Sequence, residues 1–148
     1  MFLSNSYLSI THTQIIIHIT GKSDPYVAFR LVSSVGKEAS NDVHTKVIND
    51  TLNPIWKDEV HTLRVPVSSR EHFKSMSLIA RVMDKDIMNS QLIGTKCLSL
   101  EGLATKQSIF VNMEPLERYS QMFGRGRISF SVKLQGGLEM IALRSFRT

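Results

Sequence analysis

Between Arg127 and Gln135, Ile128, Phe130, Val132 and Leu134 alternate with Ser129, Ser131 and Lys133. This is the cleanest period-two pattern in the chain, and it predicts a strand with one apolar face. Val27, Phe29 and Leu31 alternate with Tyr26, Ala28 and Arg30, predicting a strand from Tyr26 to about Val32. Leu78, Ala80 and Val82 against Ile79, Arg81 and Met83 predict another, which runs straight into Asp84. From Val43 to Ile48 the β-branched Val43, Thr45 and Val47 oppose His44 and Lys46. Trp56 opens a strand to about Val65, which the stretch Pro66 to Arg70 breaks; Ile93 to Leu100 and Ile109 to Met113 read as extended. Met1 to Ile17 is the least regular part: Leu8 and Ile10 alternate with polar neighbours, Ile15-Ile16-Ile17 is a short apolar run, and a strand is expected, whole or in two pieces, with no clear register. Ser33 to Asp42 and Asn49 to Pro54 carry turn residues, and Gly102 to Gln107 reads as a loop or short helix. About eight short strands at this spacing predict an all-β, eight-stranded antiparallel β-sandwich. The domain is expected over 1–135, with a tail over 136–148 beginning at Gly136-Gly137.

Composition narrows the class. A chain of 148 residues is one domain, and 42% hydrophobic with 21% charged residues is a globular balance. No apolar run approaches the length of a membrane span, and Met1 to Tyr7 lacks the charged, apolar and small-residue zones of a secretory signal. Cys97 is the single cysteine, so no internal disulfide forms, which fits a reducing compartment; Cys97 is expected as a small buried strand residue. The net charge of +5 favours polyanionic partners. Five histidines, His12, His18, His44, His61 and His72, stand in no recognisable nucleophile motif, so a non-enzyme is expected. With 7% aromatics and no stacking platform, nucleic acid is not an expected partner.

Three carboxylates supply the candidate chemistry. Asp84 and Asp86, two apart at a strand end, project to the same side, and Asp24 ends a loop placed to meet them. Three hard oxygen donors on two loops suit Ca²⁺, which takes six to eight oxygens in flexible geometry. An Asp-x-Asp pair taken alone reads more readily as a solvated loop.

Four stretches occur together. They are Gly21-Lys22-Ser23-Asp24-Pro25-Tyr26-Val27; Thr45-Lys46-Val47-Ile48 with Thr51-Leu52-Asn53-Pro54-Ile55-Trp56-Lys57-Asp58; Val82-Met83-Asp84-Lys85-Asp86; and Leu92-Ile93-Gly94. In this order and spacing the chain resembles the C2 domains, over about Gly21 to Leu134. The resemblance implies a C2-type Greek-key sandwich whose loops at one end gather Ca²⁺ and touch membranes. Of the family's five acidic positions, three are Asp24, Asp84 and Asp86; the other two are His18 and Gln91. Fewer carboxylates and an imidazole lower the pull on a hard cation. The resemblance therefore implies Ca²⁺ held weakly or lost, with Asn89, Ser90 and Gln91 as neutral oxygen donors. It also implies that Ile19, Ile87 and Met88 are loop tips that dip into lipid. The resemblance further implies a basic cluster on the outward face that in related domains binds phosphoinositide headgroups, here Arg30, His44 and Lys46, with Lys22 and Lys85, thinned by Ala28 where the family often has lysine. The expected function is a non-catalytic, monomeric, peripheral membrane module on cytoplasmic membrane surfaces that binds anionic phospholipids with weak or absent Ca²⁺ dependence. The alternative is a Ca²⁺-independent protein-interaction domain.

Overall fold

A computed structural model describes residues 6–18, 23–34, 40–65, 70–86, 88–117 and 125–136. In chain order these form β1 (Tyr7–His18), β2 (Pro25–Val32), β3 (Val43–His44), β4 (Ile55–Trp56), β5 (His61–Arg64), α1 (Arg70–Lys74), β6 (Ser77–Lys85), β7 (Ser90–Ser99), a 3-10 helix (Leu100–Ala104), β8 (Ser108–Pro115) and β9 (Arg125–Gln135). One sheet has the order β4-β1-β9-β8, with β5 also paired to β1; the other has the order β3-β2-β6-β7. Every pairing is antiparallel. β5 pairs with Tyr7 to Ile10 and β4 with Thr13 and Gln14, so the two share one edge of β1 as halves of a single strand position. Four positions in each sheet give the eight-stranded antiparallel β-sandwich that the alternation predicts.

The inward faces are those read from the sequence. Ile128, Phe130, Val132 and Leu134 of β9 are fully buried, as are Val27, Phe29 and Leu31 of β2 and Leu78, Ala80 and Val82 of β6. The Phe29 and Phe130 rings meet edge to face across the sandwich at 5.5 Å, the arrangement aromatic quadrupoles favour.

β1 is one strand, and its irregular pattern has a cause. Its register on β9 slips between Thr11 and Gln14, and His12 takes φ 55°. The extra residue of this bulge flips the parity. Leu8 and Ile10 are therefore buried before it, and Thr13, Ile15 and Ile17 after it. The same device reverses the expectation for Cys97, which is exposed. β7 carries an extra residue at Ile93, because Val82 pairs with Gly94 and Met83 with Leu92. Past that bulge Cys97 pairs with Ile79 on the outward side, while Leu98 packs against the core.

Two further expectations change. The stretch Val43 to Ile48 is a regular strand only over Val43–His44, although Thr45 and Ile48 N–H groups still donate to Val27 and Pro25 carbonyls. Thr45 is buried, on the side opposite the exposed His44 and Lys46 as expected, and its hydroxyl accepts from Val27 N–H at 2.9 Å. Val47, expected on the same side, is exposed. The sequence pattern also has no counterpart for α1; five residues are too few to show a helical period, yet Phe73 and Met76 at this turn are fully buried.

Candidate functional site

Pro25 opposite Asp84 in the β2–β6 ladder places the start of one strand beside the end of the other. Three connections therefore meet at one end of the sandwich: the residues before Pro25, the turn from Asn49 to Pro54, and the turn from Asp86 to Ser90. Backbone bonds tie them. Lys85 N–H donates to Asp24 C=O at 2.9 Å, and Thr51 N–H to Ser23 C=O at 2.8 Å. Asp24, Asp84 and Asp86, remote in sequence, share this pole.

Asp24 and Asp84 each have one carboxylate oxygen engaged. Asp24 Oδ1 accepts from Asp50 N–H at 2.7 Å, and Asp84 Oδ1 accepts from Asp24 N–H at 2.9 Å. Asp50 has φ 54°, a left-handed conformation that Asp tolerates better than most residues, and the bond from Asp24 holds its amide there. Asp86 is exposed, with its N–H donating to Asn89 C=O at 2.9 Å. Among the described residues, no three His, Cys, Asp or Glu side chains are grouped to hold a metal ion. His18 is an exposed strand end, and Gln91 is exposed opposite Asp84. Ser90 Oγ accepts from Tyr26 O–H at 2.9 Å, and Asn89 is exposed. Among the described residues this donor set has two carboxylate oxygens turned onto loop amides, an exposed imidazole and neutral side chains, fewer free convergent oxygens than the six to eight that Ca²⁺ takes. These carboxylates fasten the loops to one another.

One expectation follows. Asp24→Ala frees Asp50 N–H and should lower stability by about 1–2 kcal/mol, the usual worth of a part-exposed hydrogen bond to a charged group. Thermal melts of the unmodified protein in Ca²⁺ and in chelator should superimpose. A rise of several degrees with Ca²⁺ would mean that the ion reorganises the pole.

The outward face of β3-β2-β6-β7 is where cations gather. Arg30 lies on it, as does His44, opposite Ala28. On the other side of Ala28 stands Arg81 of β6. The cation absent from β2 at Ala28 is thus supplied by the neighbouring strand, and the small Ala28 side chain leaves room for it. Arg81 was visible in the alternation of β6, but only the register brings it beside Ala28. Arg30 Nε lies 2.7 Å from Asp42 Oδ1 and Arg30 Nη2 3.1 Å from Asp42 Oδ2, while Arg81 Nη2 reaches the same Oδ2 from the other side. Two guanidinium groups share one carboxylate, leaving a net charge of +1. The three side chains are 21–33% exposed.

The His44 ring packs on Tyr26 edge to face at 5.8 Å, with Nδ1 3.0 Å from Thr45 C=O. Lys46 is exposed, but its N–H donates to Glu59 Oε1 at 3.1 Å, so its backbone turns toward an acidic neighbour. Lys85 is exposed at the end of β6, opposite Ser90. Met88, between the end of β6 and the start of β7, is 88% exposed. Ile19, Lys22 and Ile87, and the tail beyond Gly136, lie outside the described residues. Among the described residues, no helix is long and apolar enough to cross a membrane.

Comparison with known proteins gives the same architecture. The family model described as "C2 domain" matches residues 8–114. Rabphilin-1 of Caenorhabditis elegans is 31% identical over 83 residues, 56% of this chain and 7% of that protein. A structure concerned with CC2D1B superimposes with a TM-score of 0.72 at 17% identity, covering 96% of this chain and 60% of the other. The two calcium-bound C2 domains of Extended-Synaptotagmin 2 give a TM-score of 0.69 at 16% identity, covering 92% of this chain and 48% of that one. This chain thus spans a small part of the curated relative and half to three fifths of these two solved chains. A sandwich of two four-position sheets, with loops gathered at one pole and a family match over most of the length, places the chain in the C2 domain family.

Proposed function

We propose that this domain is a non-catalytic peripheral membrane module that binds anionic phospholipid through the outward face of β3-β2-β6-β7, with little or no dependence on Ca²⁺. The observation that carries this reading is the register of Arg81 opposite Ala28, which builds a basic face from two strands. Each Lys or Arg near an anionic leaflet contributes about 1 kcal/mol. Arg30, Arg81, Lys46 and Lys85, discounted by Asp42, give about 3 kcal/mol, enough for reversible contact and too little for lasting attachment. A linked domain or a second membrane contact would raise the avidity. On this reading the module works as a monomer at the cytoplasmic surface of membranes, beside whatever domains a longer protein supplies.

Met88 is the second contact. At 88% exposure it gains on entering lipid what it lacks in the folded protein, up to about 1.5–3 kcal/mol for full burial. Met88→Asp should weaken vesicle binding by about tenfold or more without moving the melting temperature by more than a degree or two. Equal binding of variant and parent would remove Met88 from the membrane contact.

The Ca²⁺-independent protein-interaction reading draws on the engaged state of Asp24 and Asp84. Vesicle sedimentation separates the two. Binding to phosphatidylserine-containing vesicles, absent on phosphatidylcholine alone and equal in Ca²⁺ and chelator, supports the membrane module. Failure on every vesicle, with capture by a protein partner, supports the alternative.

A further inference from the structure

The other sheet, β4-β1-β9-β8, carries a depression on its outer side. β1 and β8 flank β9, and each bulges as it passes Ser129 and Phe130. The register slips between Thr11 and Gln14 on one side and between Val111 and Glu114 on the other. Each bulge holds a residue other than glycine in the left-handed region, His12 at φ 55° and Met113 at φ 46°. Such conformations cost the chain energy and gather at working sites, and bulges re-aim the side chains they carry. Here His12 and Met113 stand on opposite sides of an open depression of about 410 Å³, within the size range of small-ligand pockets. Ser129 and Ser131 of β9 lie between them, Gln14 joins on the β1 side, and Asn112 and Phe110 on the β8 side. With His12 neutral, none of these side chains bears a charge, on a chain whose net charge is +5. Among the described residues, the Gln14 and Asn112 amides and the Ser131 hydroxyl have no hydrogen-bond partner within the protein. Thr11 Oγ1 lies 2.9 Å from His12 Nδ1, which leaves Nε2 for a ligand. Ser129 Oγ accepts from Met113 N–H at 2.7 Å and pins the β8 bulge beside it. Phe110 is 57% exposed, a large apolar ring standing in water beside polar groups.

We infer that this depression is a binding site for a neutral saccharide. It is separate from the membrane face and stands independently of that reading. Amides and hydroxyls both donate and accept, and so does every sugar hydroxyl, so the two sets match with no charge on either side. A phosphate or carboxylate ligand finds no cation among these side chains to offset its desolvation. A wholly apolar ligand strips water from the amides and hydroxyls and gives them no partner in return. A pyranose ring meets both demands. Its hydroxyl rim bonds to Gln14, Asn112, Ser131 and His12, while its C–H face lies on Phe110, whose ring face carries negative charge density.

The test is a titration of the unmodified domain with neutral mono- and disaccharides at millimolar concentrations, followed by backbone amide chemical shifts and by calorimetry. At least one sugar should shift the His12, Asn112 and Ser131 amides saturably. Its affinity should be the same at low and high salt, since no ion pair forms. Phe110→Ala should weaken binding about tenfold. Phe110→Leu should weaken it almost as much, because leucine restores apolar bulk without a ring face. Gln14→Ala and Asn112→Ala should each weaken it about fivefold, the share of one neutral hydrogen bond. These side chains face solvent, so melting temperatures should stay near that of the parent; if one variant loses its fold, the others carry the test. The same sugar is then offered free and coupled to a carrier protein. Equal affinity for both forms supports a saccharide site, whereas binding of the coupled form alone would overturn it, since the carrier would then be what is recognised. The inference would also be overturned if no sugar shifts these amides, if a folded Phe110→Ala variant binds as the parent does, or if a phosphorylated sugar binds more tightly than its neutral parent. So would self-association of the domain that Phe110→Ala abolishes, which would assign the ring to a contact between copies. Each of these results leaves the membrane reading untouched.

Discussion

Trp56→Ala is expected to lower the stability of the domain by about 3–5 kcal/mol, the range for removing a large aromatic side chain from a packed core. Trp56 is 2% exposed and pairs with Thr13 at the edge of β1. Its indole N–H donates to Lys46 C=O at 2.7 Å. That bond joins the irregular segment after β3 to the edge of the opposite sheet. The substitution therefore leaves a cavity and also strips a partner from a backbone carbonyl. Trp56→Phe separates these effects: it keeps most of the apolar volume, loses the donor, and should cost about 1–3 kcal/mol. Small domains carry about 5–15 kcal/mol in all, so the alanine variant should lose a large share of its urea midpoint with little change in slope. A midpoint within experimental error of the parent would mean that Trp56 does not hold the sheets together.

The second large effect concerns binding. Arg30→Gln with Arg81→Gln removes both cations around Asp42, changing the local charge from +1 to −1. At about 1 kcal/mol per charge near an anionic leaflet, affinity for phosphatidylserine-containing vesicles should fall by about thirtyfold. The residual binding should also depend less steeply on salt, because fewer exposed charges remain to be screened. Asp42→Asn in the same background should restore part of the loss by removing the stranded carboxylate. Since these side chains lie on the outward face, the double variant should retain its fold, with a melting temperature close to the parent. Unchanged vesicle binding by a folded double variant would move the lipid contact away from this face.

Much of this was legible in the residues, for identifiable reasons. Strict period two survives wherever a strand lacks bulges, so the inward faces of β2, β6 and β9 could be read directly. The convergence of Asp24, Asp84 and Asp86 at one pole was legible through the order and spacing of stretches that resemble the family. Extra residues hid the rest. One near His12 masked the continuity of β1, and one at Ile93 turned Cys97 outward. The occupation of Asp24 and Asp84 was not legible, because it depends on where Asp50 N–H and Asp24 N–H point after the loops close. Nor was the Arg30–Asp42–Arg81 cluster. Arg81 is 51 residues from Arg30 in the chain, and only the register of β6 on β2, with Asp42 just before β3, makes the three neighbours. Alternation along one strand says which face a cation occupies; it does not say what stands beside it.

Whether this face meets an anionic membrane by charge, without a metal bridge, is decided most directly by sedimentation. The unmodified domain is spun with vesicles of rising phosphatidylserine content, in chelator, at low salt and at about 0.5 M salt, where screening acts within about 4 Å. The expected result is binding that climbs with phosphatidylserine, vanishes on phosphatidylcholine alone, collapses at high salt and is unaltered when Ca²⁺ replaces the chelator. Binding that ignores lipid charge and salt, or that occurs only with Ca²⁺, would contradict it.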